Sequence, residues 1–254
     1  MSTTFVTAYL KVYDEEYDIS RNFQNRLKYF MLLLDLGINV CIFVEPEFQE
    51  KFNEIEKNYK NLKIIQSISI NELELYKIGE ENLELCNLPT NRNQVKDTKN
   101  YMFLMLSKLE FLKKSIDVNP YNSDYFCWFD FSLPYIFKDI NNTLLKIKNI
   151  SNNKFSNKKF ISLPGCWNFK INDINNLMDN IVWRFCGGFL LGDKETITNF
   201  YTISNYNFVN FLNQTKTLVW EVNYWAWLEG IGLISPIWYL ADHDDSIVNI
   251  SLDI

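Results

Sequence analysis

Asp130 is the residue whose chemistry is easiest to read, because it directly follows the apolar run from Tyr125 to Phe129. A carboxylate in that position must meet solvent, a hydrogen-bond donor or a cation. A bound divalent metal would satisfy it, and so would capping the turn after Ser132-Leu133-Pro134, since Asp is a favoured N-cap. His243 is the single histidine of the chain and stands in Ala241-Asp242-His243-Asp244-Asp245. An imidazole flanked by carboxylates suits a metal site, although a lone histidine in an acidic turn is more often a solvated loop residue. Lys108 lies one position before Leu109, at the edge of an apolar stripe, where its ammonium either reaches an anion or snorkels to water. Glu221 follows Trp220 at the start of a helix, a place where the helix dipole alone favours a carboxylate. Gly187 and Gly188 interrupt an apolar stretch, which calls for a bulge or for close approach of a ligand to the backbone. Arg184 puts a cation beside them.

The elements that must carry these residues follow from hydrophobic spacing. Phe5 to Val12 reads as a strand. After a polar turn from Tyr13 to Ile19, Phe23, Leu27, Phe30, Met31 and Leu34 repeat at helical spacing until Gly37 stops them. Asn39 to Val44 is a continuous apolar run, as expected of a strand buried on both faces, and Pro46 opens the next helix where its missing N–H costs nothing. Leu62 to Ile65 is a third strand, and Asn71 to Thr98 reads as a polar excursion over the surface. A long helix from Thr98 carries Met102, Met105, Leu106, Leu109 and Leu112 on one face and ends near Asn119-Pro120. Strands follow at Tyr125 to Phe129, Phe160 to Leu163 and Phe185 to Leu191, with helices from Lys194 to Phe211 and from Val219 to Glu229. Lys146 to Lys159 reads as a loop. This alternation predicts one three-layer α/β domain over residues 1–254 with a mostly parallel central sheet. In such sheets ligands bind beyond the carboxyl ends of the strands, which singles out Thr7, Ala8 and Tyr9 toward the end of the first strand and Asp130 to Ser132 at the end of the fourth.

Composition removes several classes. The 254 residues are 47% hydrophobic, enough for a large core, with only 8 Gly and 6 Pro, so disorder and collagen-like architectures are excluded for most of the chain. Lys and Arg number 25 against 31 Asp and Glu, a net charge of −6, which argues against a nucleic-acid partner while leaving room for a basic pocket around one phosphorylated ligand. No apolar run is long enough to span a bilayer, and the first residues lack the basic and apolar regions of a signal peptide, so a cytoplasmic location is expected. Five cysteines without a C-x-x-C pair suggest neither a zinc cluster nor a disulfide framework. Phosphate-binding glycine loops, the G-x-S-x-G elbow and H-E-x-x-H are absent, and with one histidine a Ser-His-Asp hydrolase would have to use His243. The 16% aromatic content suits sugar stacking, but aromatic residues belong first to cores.

Taken in order, Phe5-Val6-Thr7-Ala8-Tyr9, Ser107-Lys108-Leu109, Trp128-Phe129-Asp130-Phe131, Phe185-Cys186-Gly187-Gly188-Phe189, Glu221 to Trp225 and Asp242-His243-Asp244 resemble the HtrL/YibB family, read as glycosyltransferases, and more distantly the glycosyltransferase-A fold of glycogenin-like enzymes. The resemblance covers most of the chain. It implies a Rossmann-like glycosyltransferase-A domain and a metal-dependent hexosyltransferase that takes a UDP-sugar and glycosylates a hydroxyl of a glycan or protein. It further implies a donor site of Thr7, Ala8, Tyr9, Lys108, Asp130, Ser132, Arg184, Gly187 and Gly188, a manganese or magnesium ion on Asp130 and His243, and Glu221 as general base or acceptor-orienting acid. The chain departs from the family's Asp-x-Asp pattern: it reads Asp130-Phe131-Ser132, without the second acid. A non-catalytic nucleotide- or glycan-binding protein of the same fold is the alternative. The excursion from Asn71 to Thr98 and the loop from Lys146 to Lys159 are the expected seats of acceptor choice.

Overall fold

A computed structural model describes residues 3–13, 22–156 and 159–254. Most of the polar turn expected after Tyr13 lies outside the described residues. The elements run β1 (Thr3–Tyr9), α1 (Phe23–Asp35), β2 (Asn39–Val44), α2 (Gln49–Asn58), β3 (Leu62–Ser67), α3 (Glu74–Glu81), α4 (Lys99–Leu106), α5 (Lys108–Val118), β4 (Tyr125–Phe129), α6 (Ile140–Asn152), β5 (Ile161–Gly165), β6 (Phe189–Asp193), α7 (Lys194–Thr215), α8 (Glu221–Gly230) and β7 (Ile237–Leu240).

The strands form one seven-stranded sheet in the order β3-β2-β1-β4-β6-β5-β7. Four of its six pairings are parallel, and β6 runs against both neighbours. Strand parity divides the core into two layers. Val6, Phe43, Phe126, Trp128 and Leu190 face the side covered by α4, α5, α7 and α8. Phe5, Ile42, Tyr125, Phe129 and Phe189 face the side covered by α1, α2 and α6. The three-layer α/β reading therefore holds, and it holds because the period-2 alternation of each strand feeds two separate apolar stores.

Several expectations are corrected. The long helix from Thr98 is two helices, α4 and α5, hinged at Ser107, whose backbone (φ −83°, ψ 6°) leaves helical values. The excursion from Asn71 to Thr98 is not a surface loop: it contains α3 and sends Leu73, Leu75, Leu85 and Cys86 into the core. The loop expected at Lys146 is the second half of α6, whose Ile147 and Ile150 are buried, and residues 157–158 lie outside the described chain. The strand expected from Phe185 begins only at Phe189, so Gly187 and Gly188 precede it. The short run from Ile237, which the spacing left unassigned, is the edge strand β7, paired in parallel with β5.

β1 is the crossover point of the sheet. From β1 the chain builds outward through β2 and β3, then returns to place β4 on β1's other side. The carboxyl ends of β1 and β4 consequently open side by side, the position where doubly wound sheets hold ligands.

Candidate active site

Asp130 continues β4 by one residue, its N–H donating to the Gly188 carbonyl at 3.0 Å. Alternation puts it on the same side of the sheet as Phe126 and Trp128, toward the first residue of α5. Parity thus accounts for its two strongest contacts. Trp128 Nε1 donates to Asp130 Oδ1 at 2.9 Å, and Lys108 Nζ lies 3.0 Å from the same oxygen. Lys108 is 1% exposed and also donates to Glu221 Oε1 and to the Gly187 carbonyl, each at 2.8 Å. Burial by itself would lower the Lys108 pKa, but the charges of Asp130 and Glu221 outweigh it and the ammonium is held above its ordinary value. A buried cation between two carboxylates is tolerated only because every donor is used.

The glycine pair is explained by the same cluster. A Cβ on Gly187 would stand 2.0 Å from Glu221 Oε1 and 3.2 Å from Lys108 Nζ. On Gly188 it would meet Ile247, Leu133 and Asp130 Oδ2 between 3.2 and 3.5 Å. The backbone approach that the sequence signalled is therefore made by this protein's own side chains.

A cleft opens at the ends of β1 and β4. Of the expected residues, Ala8, Tyr9, Asp130, Ser132, Gly188 and His243 line it. Thr7, Lys108, Gly187 and Glu221 lie behind that wall and are buried. Arg184 is elsewhere: its guanidinium makes a two-pronged bond to Glu229, both at 2.7 Å, and a third to the Trp167 carbonyl at 3.0 Å. It fastens the segment before β6 to α8, and Glu229 consumes its charge.

His243 lines the cleft and packs edge-on against Trp183, ring centres 4.4 Å apart. Burial, only partly offset by Asp130 and Asp242, lowers its pKa. The acids around it are bound elsewhere. Asp242 Oδ1 accepts the His243 N–H; Asp244 caps the following turn through Ser246 and pairs with Lys138; Asp245 accepts from Lys138, Asp139 and Thr143. Asp130 offers one carboxylate oxygen, since ammonium and indole share the other. These donors do not fit a resident divalent cation: the carboxylate that would anchor it already has one oxygen committed to the buried Lys108 ammonium and the Trp128 indole, and the neighbouring acids are engaged in structural bonds.

Two cationic residues that spacing did not mark also line the cleft, Arg26 from the first turn of α1 and Lys96 from the turn before α4. Both sit in polar stretches where a charged residue is unremarkable, and only the fold brings them to one opening. Tyr101 joins them, its phenol held protonated by burial and by the nearby charges of Glu221 and Asp130.

Residues 1–218 match the model of a family described as bacterial proteins of unknown function, HtrL_YibB. The chain belongs to this family. Within this HtrL_YibB chain the match takes in β1, the Lys108 helix, Asp130 and the glycine pair, and stops before Glu221 and His243. The comparison with curated proteins gives no match. Among solved structures, the chain is similar to mouse xyloside xylosyltransferase 1, at 8% identity and a TM-score of 0.47, over 95% of this chain and 86% of that one. It is also similar to 4-diphosphocytidyl-2C-methyl-D-erythritol synthase from Anaerococcus prevotii DSM 20548, at 8% identity and 0.47, over 97% and 89%. A third is the inositol-1-phosphate CTP transferase from T. maritima, at 10% identity and 0.40, over 96% and 86%.

Proposed function

We propose that this HtrL_YibB protein is a glycosyltransferase of the glycosyltransferase-A type, moving a hexose from a nucleotide sugar, a UDP-sugar by the resemblance, to a hydroxyl on a glycan or protein. The observation that carries the reading is Asp130. It is a half-exposed carboxylate at the crossover of the sheet, aimed by an indole and a fully buried ammonium, and such support is what keeps a site residue in one geometry. Ala8 and Tyr9 at the end of β1, the strand beside β4, are suited to the base and ribose. Asp130 is placed to accept hydroxyls of the donor sugar. Departure of the nucleoside diphosphate develops negative charge that cations of the cleft stabilise, and the acceptor hydroxyl then needs positioning and loss of a proton.

Glu221, expected as a general base or an acceptor-orienting acid, has a supporting role in this reading. Locked onto Lys108 behind the wall, it is a positioning residue that keeps the ammonium against Asp130. That sequestration favours the second reading, a nucleotide- or glycan-binding protein without turnover. Incubation with a panel of UDP-, GDP-, ADP- and CDP-sugars, following release of the nucleoside diphosphate, separates the two. Turnover that falls at least about 100-fold in Asp130→Asn, with unchanged thermal stability, supports the transferase. Binding without turnover of any donor leaves the binding protein, and turnover indifferent to Asp130→Asn removes Asp130 from the site.

A further inference from the structure

We propose that the diphosphate of the donor is held by two side-chain cations of the cleft, Arg26 and Lys96, so that donor binding requires no divalent metal. The inference rests on the nucleotide-donor reading and adds to it the groups that recognise the anion.

Arg26 and Lys96 come from separate parts of the chain and line the same cleft as Asp130. The Arg26 Nε is buried and has no hydrogen-bond partner among the described residues. A buried guanidinium N–H left unsatisfied is uncommon, and a phosphate oxygen is the acceptor whose geometry fits its planar fork. Lys96 Nζ lies over the Tyr101 ring, 5.1 Å from its centre, and among the described residues its ion-pair partner, Asp97 Oδ1, is 3.9 Å away, beyond hydrogen-bond reach. Its ammonium is thus oriented by an aromatic face with its N–H donors available to a ligand.

The charge balance of the opening points the same way. Arg26 and Lys96 bring two positive charges to the cleft, and among the described residues its one lining carboxylate, Asp130, shares the Lys108 ammonium with Glu221. In a chain whose net charge is −6, two cationic side chains lining one cleft are a local feature that can recognise an anion. In this proposal the two cations that line the cleft supply the charge that a dication would bring, at a place where the donor set does not fit one.

The test is calorimetry with UDP, CDP, GDP and ADP, and with inorganic pyrophosphate as a second probe, in EDTA and again in excess manganese. The expected result is binding of a nucleoside diphosphate in EDTA that manganese changes by less than about twofold. Arg26→Ala and Lys96→Ala are each expected to weaken it by about tenfold or more, and Arg26→Lys to restore part of the loss. Both positions are on the cleft wall, and thermal melts of the variants establish that they fold. Binding that appears only with manganese, or that is indifferent to both alanine variants, overturns the inference while leaving the nucleotide donor in place. Pyrophosphate binding that depends on Arg26 and Lys96, without preference for any nucleotide, keeps the inference and removes the nucleotide reading. No binding of either probe overturns both.

Discussion

At the scale of single residues, the protein is organised around one ammonium. Lys108 meets two carboxylates and a carbonyl while 1% exposed, so removing it strands Asp130 and Glu221. Lys108→Met is expected to destabilise the fold by about 3–5 kcal/mol, measured by urea denaturation, because breaking a buried pair leaves uncompensated charge. The pH dependence has a definite sign. The Lys108 pKa is raised above its ordinary 10.5 in the folded chain, so its contribution is complete below that value and is lost as pH rises through the folded value. The wild-type urea midpoint should therefore fall more steeply above pH 10.5 than that of Lys108→Met; parallel curves would contradict the pairing. Gly187→Ala tests the same cluster from the backbone. The added Cβ would displace Glu221, and a loss of about 1–3 kcal/mol in the same denaturation assay is the expected cost of overpacking.

At the scale of elements, two devices hold the loops around the cleft. Arg184 and Glu229 tie the segment before β6 to α8 by a buried two-pronged bond. Arg184→Met should cost about 3–5 kcal/mol in denaturation, while nucleotide affinity at a temperature where the variant is folded changes little, because Arg184 does not line the cleft. A large loss of affinity in the folded variant would return Arg184 to the donor site. The turn carrying His243 is held by Asp244, whose side chain accepts from Ser246 N–H and whose pKa is depressed first by its bonds to Ser246 and then by Lys138. Asp244→Ala should cost about 1 kcal/mol, the usual worth of a cap. A depressed carboxylate stabilises above its unfolded value and loses that stabilisation as pH falls through the folded one, so the difference between wild type and Asp244→Ala should close in acid.

At the scale of the whole molecule, two apolar layers sandwich one sheet, and the cleft belongs to the sheet as a whole, not to one segment. A ligand that binds only this folded arrangement must stabilise all of it: a nucleoside diphosphate at about 100 times its dissociation constant should add about 2.7 kcal/mol, read as a rise in thermal midpoint, and by the reasoning above the rise should persist in EDTA. What the amino-acid sequence determined by itself was everything that depends on local period and on neighbours in the chain: the strands at Asn39–Val44 and Tyr125–Phe129, the helix of Phe23, Leu27 and Phe30, the three-layer class, and the position of Asp130 where an apolar run stops. Gly187 and Gly188 likewise announced a close approach. What approaches them was decided only in three dimensions, since Lys108 and Glu221 lie 113 positions apart. Tertiary structure alone also turned Arg184 toward Glu229, broke the long helix at Ser107, and drew Arg26 and Lys96 to one opening. The reason is physical. Hydrophobic periodicity is a property of a segment, whereas the partner of a charge is chosen by which side chains the crossover of the sheet brings within a few ångströms, and that choice is made only when the layers close.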